Sequence, residues 1–292
     1  MLCYASQHMS ASGSLRPLLI VLCLAGLAPA AVAQVRFGVV DRATIESRLK
    51  RYRGNNATRE LTVKQMFGEA GCKDVSEQQV KHYPPNVICV LPGETDKIIL
   101  VGGHTDRVRV GDGVVDNWSS ASLLSSLFFS ENIQPPRRHT FVFIGFTGEE
   151  DGLIGSAFYA KHLSDAERSR IVAMVNLDTL GLGPTEVWAS HADRQLLDAL
   201  ALVANTMKLP LAAFNVEGGA STDSESFAKY KIPRITIHTI TRETWPILHS
   251  DNDTYSAVKM DNYYDTYRLL AAYLAFLDSG LDAPQSQPKA SH

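Results

Sequence analysis

The chain has 292 residues, of which 45% are hydrophobic and 20% are charged, and this balance is typical of a packed globular protein rather than a disordered one. Its length allows one large domain or two small ones. The formal net charge of −3 gives no support to a nucleic-acid-binding protein, which needs a basic surface.

The amino-terminal segment has the parts of a secretory signal peptide. Arg16 precedes a short apolar run over residues 17–27, and Ala31 and Ala33 form an Ala-x-Ala cleavage site. The run is shorter than a membrane-spanning helix usually needs. We therefore expect cleavage after Ala33 and a secreted or periplasmic protein, with an uncleaved membrane anchor as the alternative.

Hydrophobic periodicity predicts alternating helices and strands in the rest of the chain. Apolar residues recur at helical spacing over 41–69 and are interrupted by Gly54-Asn-Asn, which predicts two helices in series. The alternating segment 80–90, with Pro84-Pro85 inside it, predicts a hairpin. Four buried strands then alternate with four helices: strands over 97–103, 139–146, 171–177 and 232–238, and helices over 118–131, 155–162, 195–207 and 261–277.

This order predicts an α/β sandwich with a mostly parallel sheet. The predicted strands are nearly continuous apolar runs, as expected where helices cover both faces of a sheet. His104, the pair Glu149 and Glu150, and Asp178 each follow the carboxyl end of a predicted strand. Open α/β sheets place their functional sites at this edge, so we expect these residues to converge there.

The acids and histidines near that edge have the chemistry of a hydrolytic metal centre. They include two imidazoles and three carboxylates that could bind metal, and one further glutamate: His104, His249, Asp116, Asp178, Glu149 and Glu150. Hard oxygen and imidazole ligands without thiolate suit zinc, manganese or cobalt. A glutamate beside a ligand glutamate is what metal-assisted hydrolysis needs as its base.

Two further aspartates are placed to orient the histidines. Asp106 lies two residues after His104 and could accept a hydrogen bond from the second imidazole nitrogen, which would fix its tautomer. Asp253 could orient His249 in the same way. Each residue taken alone has an ordinary alternative, such as a loop histidine or a helix-capping aspartate, so the prediction rests on the set. The other histidines lack such a context and are predicted to be structural or exposed: His139, His162, His191 and His238.

The order of these motifs resembles that of the secreted di-zinc aminopeptidases, the bacterial leucyl-type aminopeptidases and their relatives. The resemblance covers about residues 86–258, and it implies a three-layer α/β/α sandwich around a mixed, mostly parallel sheet. It also implies two zinc ions per chain and peptide substrates. The roles it implies are His104 and Asp178 on the first zinc, Glu150 and His249 on the second, Asp116 bridging both, Glu149 as general base and Asp106 in a catalytic supporting role.

Two details of the resemblance concern local structure. The Asp116-Asn117 peptide resembles a position where the family has a cis bond, which is rare outside proline. The segment 221–227 is similar to the family's Ser-Asp-His-x-x-Phe signature, but Ser224 stands where the family has histidine. This departure affects the expected substrate pocket rather than the metal ligands.

The predicted function is therefore that of a secreted zinc aminopeptidase, with a peptide as substrate and with no nucleic-acid partner and no membrane partner after signal cleavage. The predicted organisation is a signal peptide over 1–33, a zinc peptidase domain over 34–280 and a polar tail over 281–292. One alternative is a glutaminyl-peptide cyclotransferase on the same fold, which Trp245 shortly before His249 keeps open. The other is a non-catalytic peptide-binding relative, which the presence of all five ligands disfavours.

The two cysteines outside the predicted signal peptide are expected to be free thiols. If Pro84-Pro85 centres the hairpin, Cys89 pairs near Val80 and lies about eight strand residues, or roughly 26 Å, from Cys72. A disulfide needs Cα atoms within about 7 Å. A looser connection, which would bend the end of the helix back over the strand, is the alternative.

Overall fold

The computed structural model describes residues 18–23, 34–134, 136–216 and 220–281. Ala31 and Ala33 of the predicted cleavage site lie outside the described residues. Residues 282–292 of the predicted polar tail lie outside them as well. The described residues form these strands: β1 (Leu18–Cys23), β2 (Gln34–Val39), β3 (Val75–Gln78), β4 (Asn86–Leu91), β5 (Ile98–His104), β6 (Thr140–Phe146), β7 (Ile171–Leu177), β8 (Thr185–Val187), β9 (Leu211–Ala213) and β10 (Arg234–His238). They also form these α-helices: α1 (Arg42–Leu49), α2 (Asn56–Glu69), α3 (Ser119–Asn132), α4 (Ile154–His162), α5 (Asp165–Arg168), α6 (Arg194–Met207), α7 (Glu225–Ala228) and α8 (Met260–Gly280).

Eight of the strands form one mixed sheet in the order β3-β4-β6-β5-β7-β10-β8-β9. The central strands β6, β5, β7 and β10 run parallel to one another, whereas β4 is antiparallel to β3 and β6, and β8 is antiparallel to β10. The predicted α/β fold around a mixed, mostly parallel sheet is confirmed. The parallel strands place their carboxyl ends at one edge, which is where the site is built.

Helices cover both faces of the sheet, so buried side chains form two separate clusters. Alternate residues of one strand enter different clusters: Ile99 and Val101 of β5 belong to the larger one, and Leu100 belongs to the smaller one. The larger cluster also contains side chains of α1, α2, α3, α6 and α8, and the smaller one contains side chains of α4 and α7. Strands buried on both faces explain the continuous apolar runs in the sequence.

The two predicted helices before the sheet are present as α1 and α2. Each begins after a capping residue whose side chain accepts a hydrogen bond from a backbone N–H of the first turn, Asp41 from Thr44 and Asn55 from Thr58. Asn55 belongs to the Gly-Asn-Asn interruption seen in the sequence. The interruption therefore starts α2, whereas α1 ends earlier, at Leu49.

The predicted register of the hairpin before β5 was wrong, and so was the prediction of two free thiols. The first strand is β3, so Cys89 of β4 pairs with Val75 and not with a residue near Val80. The two prolines lie in a wide connection over 79–85 rather than in a tight turn. Cys72 lies just before β3, its Cα is 6.3 Å from that of Cys89, and the two form a disulfide.

Part of the apolar run assigned to the signal peptide forms β1, which pairs antiparallel with β2 along its length. Strand β2 also packs on α3 and α8, where Phe37 and Val39 are buried in the larger cluster. None of the helices in the described part of the chain has the length and apolar character needed to cross a membrane.

Candidate metal centre

The carboxyl ends of three adjacent parallel strands bring four candidate side chains to one edge of the sheet. Strand β5 ends at His104, the turn after β6 carries Glu149 and Glu150, and Asp178 follows β7 directly. His249 reaches the same edge from the loop after β10, where it adopts a positive φ of 55°. Residues that are far apart in sequence therefore meet at the edge that the strand order predicted.

The potential ligands form two groups of three that share one aspartate. Within each group, one ligand atom from each residue lies within 4.8 Å of the others. The groups are His104, Asp116 and Asp178, and Asp116, Glu150 and His249. All five residues of the predicted ligand set are thus present in the two groups.

Asp116 directs one carboxylate oxygen toward each histidine. Its Oδ1 lies 3.2 Å from Nε2 of His104, and its Oδ2 lies 3.3 Å from Nε2 of His249. The other members stand on either side, with Oδ1 of Asp178 3.7 Å from His104 Nε2 and Oε2 of Glu150 2.9 Å from His249 Nε2. A carboxylate placed in this way can serve as a ligand to two ions at once.

The donor set fits divalent zinc, manganese or cobalt. It consists of imidazole nitrogen and carboxylate oxygen without sulfur. The Oε1 atom of Glu150 is buried and has no hydrogen-bond partner in the described residues, which leaves it available to a cation. Two groups that share a carboxylate are the arrangement expected of a two-metal hydrolytic site.

The backbone around Asp116 is held from two directions. Asp116 lies in a turn over 114–118 whose backbone is not helical at Asp116 and Asn117, and the peptide bond between these two residues is cis, as the resemblance predicted. The Asn117 side chain donates to the carbonyl of Leu177 and accepts from the N–H of Thr179, so it brackets Asp178. The turn that carries the shared aspartate is thereby tied to the end of β7.

Asp253 fixes the Asp116 turn rather than the ring of His249. Its two carboxylate oxygens accept hydrogen bonds from the backbone N–H groups of Val115 (2.7 Å) and Asp116 (3.2 Å). The prediction that Asp253 orients His249 was therefore wrong. Asp253 joins the His249 loop to the turn that carries the shared ligand.

Asp106 supports the turn that carries the two glutamates. Its Oδ1 accepts from the N–H of Glu149 and its Oδ2 from the N–H of Glu150, both at 3.2 Å. Oδ1 also lies 3.6 Å from Nδ1 of His104, on the side of the ring away from Asp116. Gly148 turns the chain with φ 63° against Tyr83, where a Cβ would come within 2.9 Å of the tyrosine ring.

The electrostatics of the cluster strongly favour positive charge at its centre. Burial raises the pKa of the Glu149 carboxyl to about 10, and the neighbouring acids Asp178 and Asp116 add to the effect, whereas His104 opposes it. Burial also disfavours the charged form of Asp116, but its hydrogen bonds to the two histidines hold its pKa below the ordinary value. Hydrogen bonds to Asp116 and Glu150 raise the pKa of His249 to about 10.

A cavity of about 520 Å³ is lined by the residues of both candidate ligand groups. Its apolar wall consists of aliphatic side chains and two tryptophans: Trp188, Val216, Ile240, Trp245 and Leu248. Trp188 is buried at the wall, whereas Trp245 is 43% exposed. The cavity is large enough for an amino-acid side chain beside the acids.

His238 lines the same cavity, although the sequence analysis assigned it only a structural or exposed place. Its Nε2 donates to the carbonyl of Phe214, and its Nδ1 accepts from the N–H of Ile240, so the ring is a neutral tautomer. Burial lowers its pKa to about 4. Its position as the last residue of β10 is the sequence feature that indicates this place, because other site candidates also stand at the ends of strands.

Asp223 is a buried acid that was not predicted to belong to the site. It is 1% exposed, and neither of its carboxylate oxygens has a hydrogen-bond partner among the described residues. Burial raises its pKa to about 7. The adjacent Ser224, in place of the histidine of the related signature, makes hydroxyl contacts with Thr222 and Thr236 at 2.9–3.2 Å.

Comparison with known proteins places this site in a family. The chain belongs to peptidase family M28, whose model matches residues 86–274. It is 28% identical over 192 residues to a probable leucine aminopeptidase of Arthroderma benhamiae, an alignment that covers 61% of this chain and 54% of that protein. The chain therefore spans about half the length of this curated relative.

Solved structures show the same fold. The Legionella pneumophila LapA aminopeptidase superposes with a TM-score of 0.71 at 20% identity, over 82% of this chain and 72% of that one. Porphyromonas gingivalis glutaminyl cyclase superposes with a TM-score of 0.66 at 15% identity, over 80% of this chain and 97% of that one. Both a peptidase and a cyclase therefore share this architecture, and the chemistry must be argued from the site.

Proposed function

We propose that this chain is a secreted zinc-dependent aminopeptidase with a two-metal centre. The observation that carries the proposal is the position of Asp116, whose two oxygens face His104 on one side and His249 on the other. The family assignment and the name of the fungal relative support the peptidase chemistry. The signal-like sequence over 1–33 supports export.

Zinc would be held by the two groups that share Asp116. Bound there, it would supply Lewis acidity toward a carbonyl oxygen and lower the pKa of water. Glu149 belongs to neither group, yet its Oε2 lies 3.9 Å from His104 Nε2. Two bound cations would lower the pKa of Glu149 from its raised value in the metal-free cluster, so its carboxylate, beside the centre, could take a proton from water and pass it to the leaving amine.

The cavity favours a bulky apolar side chain at the substrate's amino terminus. Its wall carries Trp188, Ile240 and Leu248, and His238, which also lines it, is neutral near pH 7. A charged substrate side chain would lose water there without gaining a partner. The acids of the two ligand groups line the same cavity and suit the free α-amine, which favours exopeptidase over endopeptidase action.

Glutaminyl cyclisation is the second candidate function. The cyclase fold is similar, and Trp245 lines the cavity together with His249. Two complete ligand groups are more than a single zinc ion requires. The shared carboxylate therefore favours hydrolysis with two metals.

Metal analysis combined with two assays tests the proposal. Protein dialysed against zinc should hold two zinc ions per chain and hydrolyse leucine p-nitroanilide, and chelation should abolish the hydrolysis until zinc is restored. The same preparation should not release ammonia from an amino-terminal glutaminyl peptide. One zinc ion per chain with cyclisation and no hydrolysis would assign the protein to the cyclases instead.

A further inference from the structure

Arg59 is a buried arginine beside the loop that joins His104 to Asp116, and it lies before the region that the family model matches. It projects from α2 and is 0% exposed. Its guanidinium donates three hydrogen bonds to main-chain carbonyls: Nε to Thr105 (2.7 Å), Nη1 to Asp112 (3.2 Å) and Nη2 to Gly113 (2.9 Å). The same group lies over the ring of Trp118, 5.1 Å from its centroid.

These carbonyls stand at both ends of the loop that joins two metal-binding residues. Thr105 directly follows His104, and the Asp112-Gly113 end leads into the turn that carries Asp116. The Arg59 side chain therefore contacts both ends of the loop between His104, a member of the first group, and Asp116, which belongs to both groups. The contact leaves little room, because a Cβ on Gly113 would come within 2.9 Å of Nη1 of Arg59.

Arg59 is held by hydrogen bonds to main-chain carbonyls rather than by an ion pair. Its guanidinium makes no ion pair within the described ranges, and each of its three hydrogen bonds ends on a neutral carbonyl. Burial lowers its pKa to about 10, and the carboxylates of Asp106, Asp253 and Asp116 oppose that effect, so the group stays cationic at neutral pH. Only the planar fork of arginine can reach the three carbonyls together, because the lysine ammonium is a single point charge.

We propose that Arg59 is a positioning residue for the metal centre, which sets the spacing between His104 and Asp116 by holding both ends of the loop between them. The inference rests on the proposed function, since it assumes that these two residues bind metal. Residues that orient metal ligands typically affect metal affinity or activity by 10–100-fold. Arg59 does so through main-chain carbonyls on either side of the ligands.

Arg59→Lys tests the proposal because it keeps the charge and removes the fork. The matched control is Arg48→Lys, since Arg48 is also a buried arginine, on α1, and its side chain donates to Ser126 Oγ in the helical layer. Zinc dissociation constants are measured on the full chain by competition with a chromogenic chelator, together with kcat, KM and the unfolding temperature of the metal-free protein. We expect Arg59→Lys to weaken zinc binding about 10–100-fold and to lower kcat by a similar factor with little change in KM. We expect Arg48→Lys to leave zinc affinity and kcat near wild type.

Unchanged zinc affinity and kcat in Arg59→Lys would overturn the proposal, and so would equal losses in both variants that follow the unfolding temperature. If Arg59→Lys does not fold, Arg59→Gln is measured instead, because it keeps an amide donor. Failure of both to fold with excess zinc would assign Arg59 to general stability and also overturn the proposal. Zinc affinity needs no substrate, so a wild type that binds zinc but cleaves no peptide would refute the proposed activity and leave this comparison intact.

Discussion

Asp116 is the residue on which both halves of the proposed centre depend. Its two oxygens lie 3.2 and 3.3 Å from the nearest imidazole nitrogens of His104 and His249, and it belongs to both ligand groups. Each histidine belongs to only one group. The number of metal ions that a variant retains can therefore distinguish a ligand shared by both groups from a ligand of one group.

Asp116→Ala is expected to lower zinc occupancy at both sites, whereas His104→Ala and His249→Ala should each empty mainly one. The reason is that the aspartate alone has an oxygen directed at each group. Elemental analysis of the three variants after dialysis at limiting zinc gives the counts. Two retained zinc ions per chain in Asp116→Ala would rule out a bridging role.

Glu149→Gln is expected to keep its zinc and to lose turnover by about 10²–10⁴-fold, the usual contribution of a proton-transfer group. The amide has nearly the same shape as the carboxylate but cannot accept the proton from water. Glu150→Gln is the matched neighbour, and it should lose zinc because Glu150 is a member of the second ligand group. Zinc content and kcat are measured together. Near wild-type kcat in Glu149→Gln would exclude it as the base.

His238 predicts a pH dependence of stability that is separate from the metal. Its folded pKa of about 4 lies below the ordinary value of 6.5, so the unfolded chain binds the proton first as the pH falls. The stability contributed by the neutral ring is complete above pH 6.5 and is lost as the pH falls toward 4, which amounts to about 2 kcal/mol by pH 5.

The free energy of unfolding of metal-free protein should therefore fall less steeply between pH 7 and pH 5 in His238→Gln than in wild type. Denaturant unfolding in the presence of a chelator measures it without a contribution from zinc release. His162→Gln, at an exposed histidine, should retain the wild-type slope. Identical slopes in all three proteins would show that His238 is protonated equally easily in the folded and unfolded chain.

At the scale of elements, the sequence signals were strongest where burial is complete. The strands β5, β6, β7 and β10 are apolar runs because both of their faces are covered, and the residues after their ends could be read as site candidates. The short strands β8 and β9 have three residues each, too few to show a period. Asp223 occupies the aspartate position of the signature-like segment 221–227, but its burial depends on tertiary packing that the segment does not show.

The hairpin shows why a turn signal alone does not fix a register. Pro84-Pro85 suggested the centre of a tight turn, but the first strand had already ended at Gln78, and the prolines belong to a longer connection. The shift moved the partner of Cys89 from near Val80 to Val75. With this register, Cys72 and Cys89 form a disulfide, whereas the predicted register placed them roughly 26 Å apart.

The disulfide should stabilise the hairpin end of the molecule without affecting the metal centre. It closes a loop with a sequence separation of 17, and loops of this length correspond to about 3 kcal/mol of stability. The double variant Cys72→Ser, Cys89→Ser should lose about that much in denaturant unfolding and retain its zinc affinity. A reductant should lower the stability of wild type and leave the double variant unchanged. Wild type that is insensitive to reductant, with unlinked peptides for the two cysteines after digestion, would contradict the cross-link.

At the scale of the whole molecule, the region before the family match is part of the same core as the region within it. The larger cluster contains Phe37 of β2, Ile45 of α1 and Phe67 of α2 together with side chains of α3, α6 and α8. Arg59 of α2 extends this packing to the loop beside the metal-binding groups. Helix α2 thus contacts the loop that joins His104 to Asp116.

The cavity and the proposed metal centre together predict which peptides the protein should cleave. Acids and apolar side chains line the same cavity, so one bound residue can place its amine near the acids and its side chain against the apolar wall. The proposed aminopeptidase reaction requires a free amino terminus. An acetylated peptide has no such amine and should be refractory.

Mass spectrometry of one peptide with a leucine at its amino terminus, in free and acetylated forms, tests this most directly. Zinc-loaded protein should shorten the free peptide by its first residue, leave the acetylated peptide intact, and lose this activity on chelation. Internal cleavage of both forms, or no shortening of the free peptide by protein that holds two zinc ions, would contradict the aminopeptidase account.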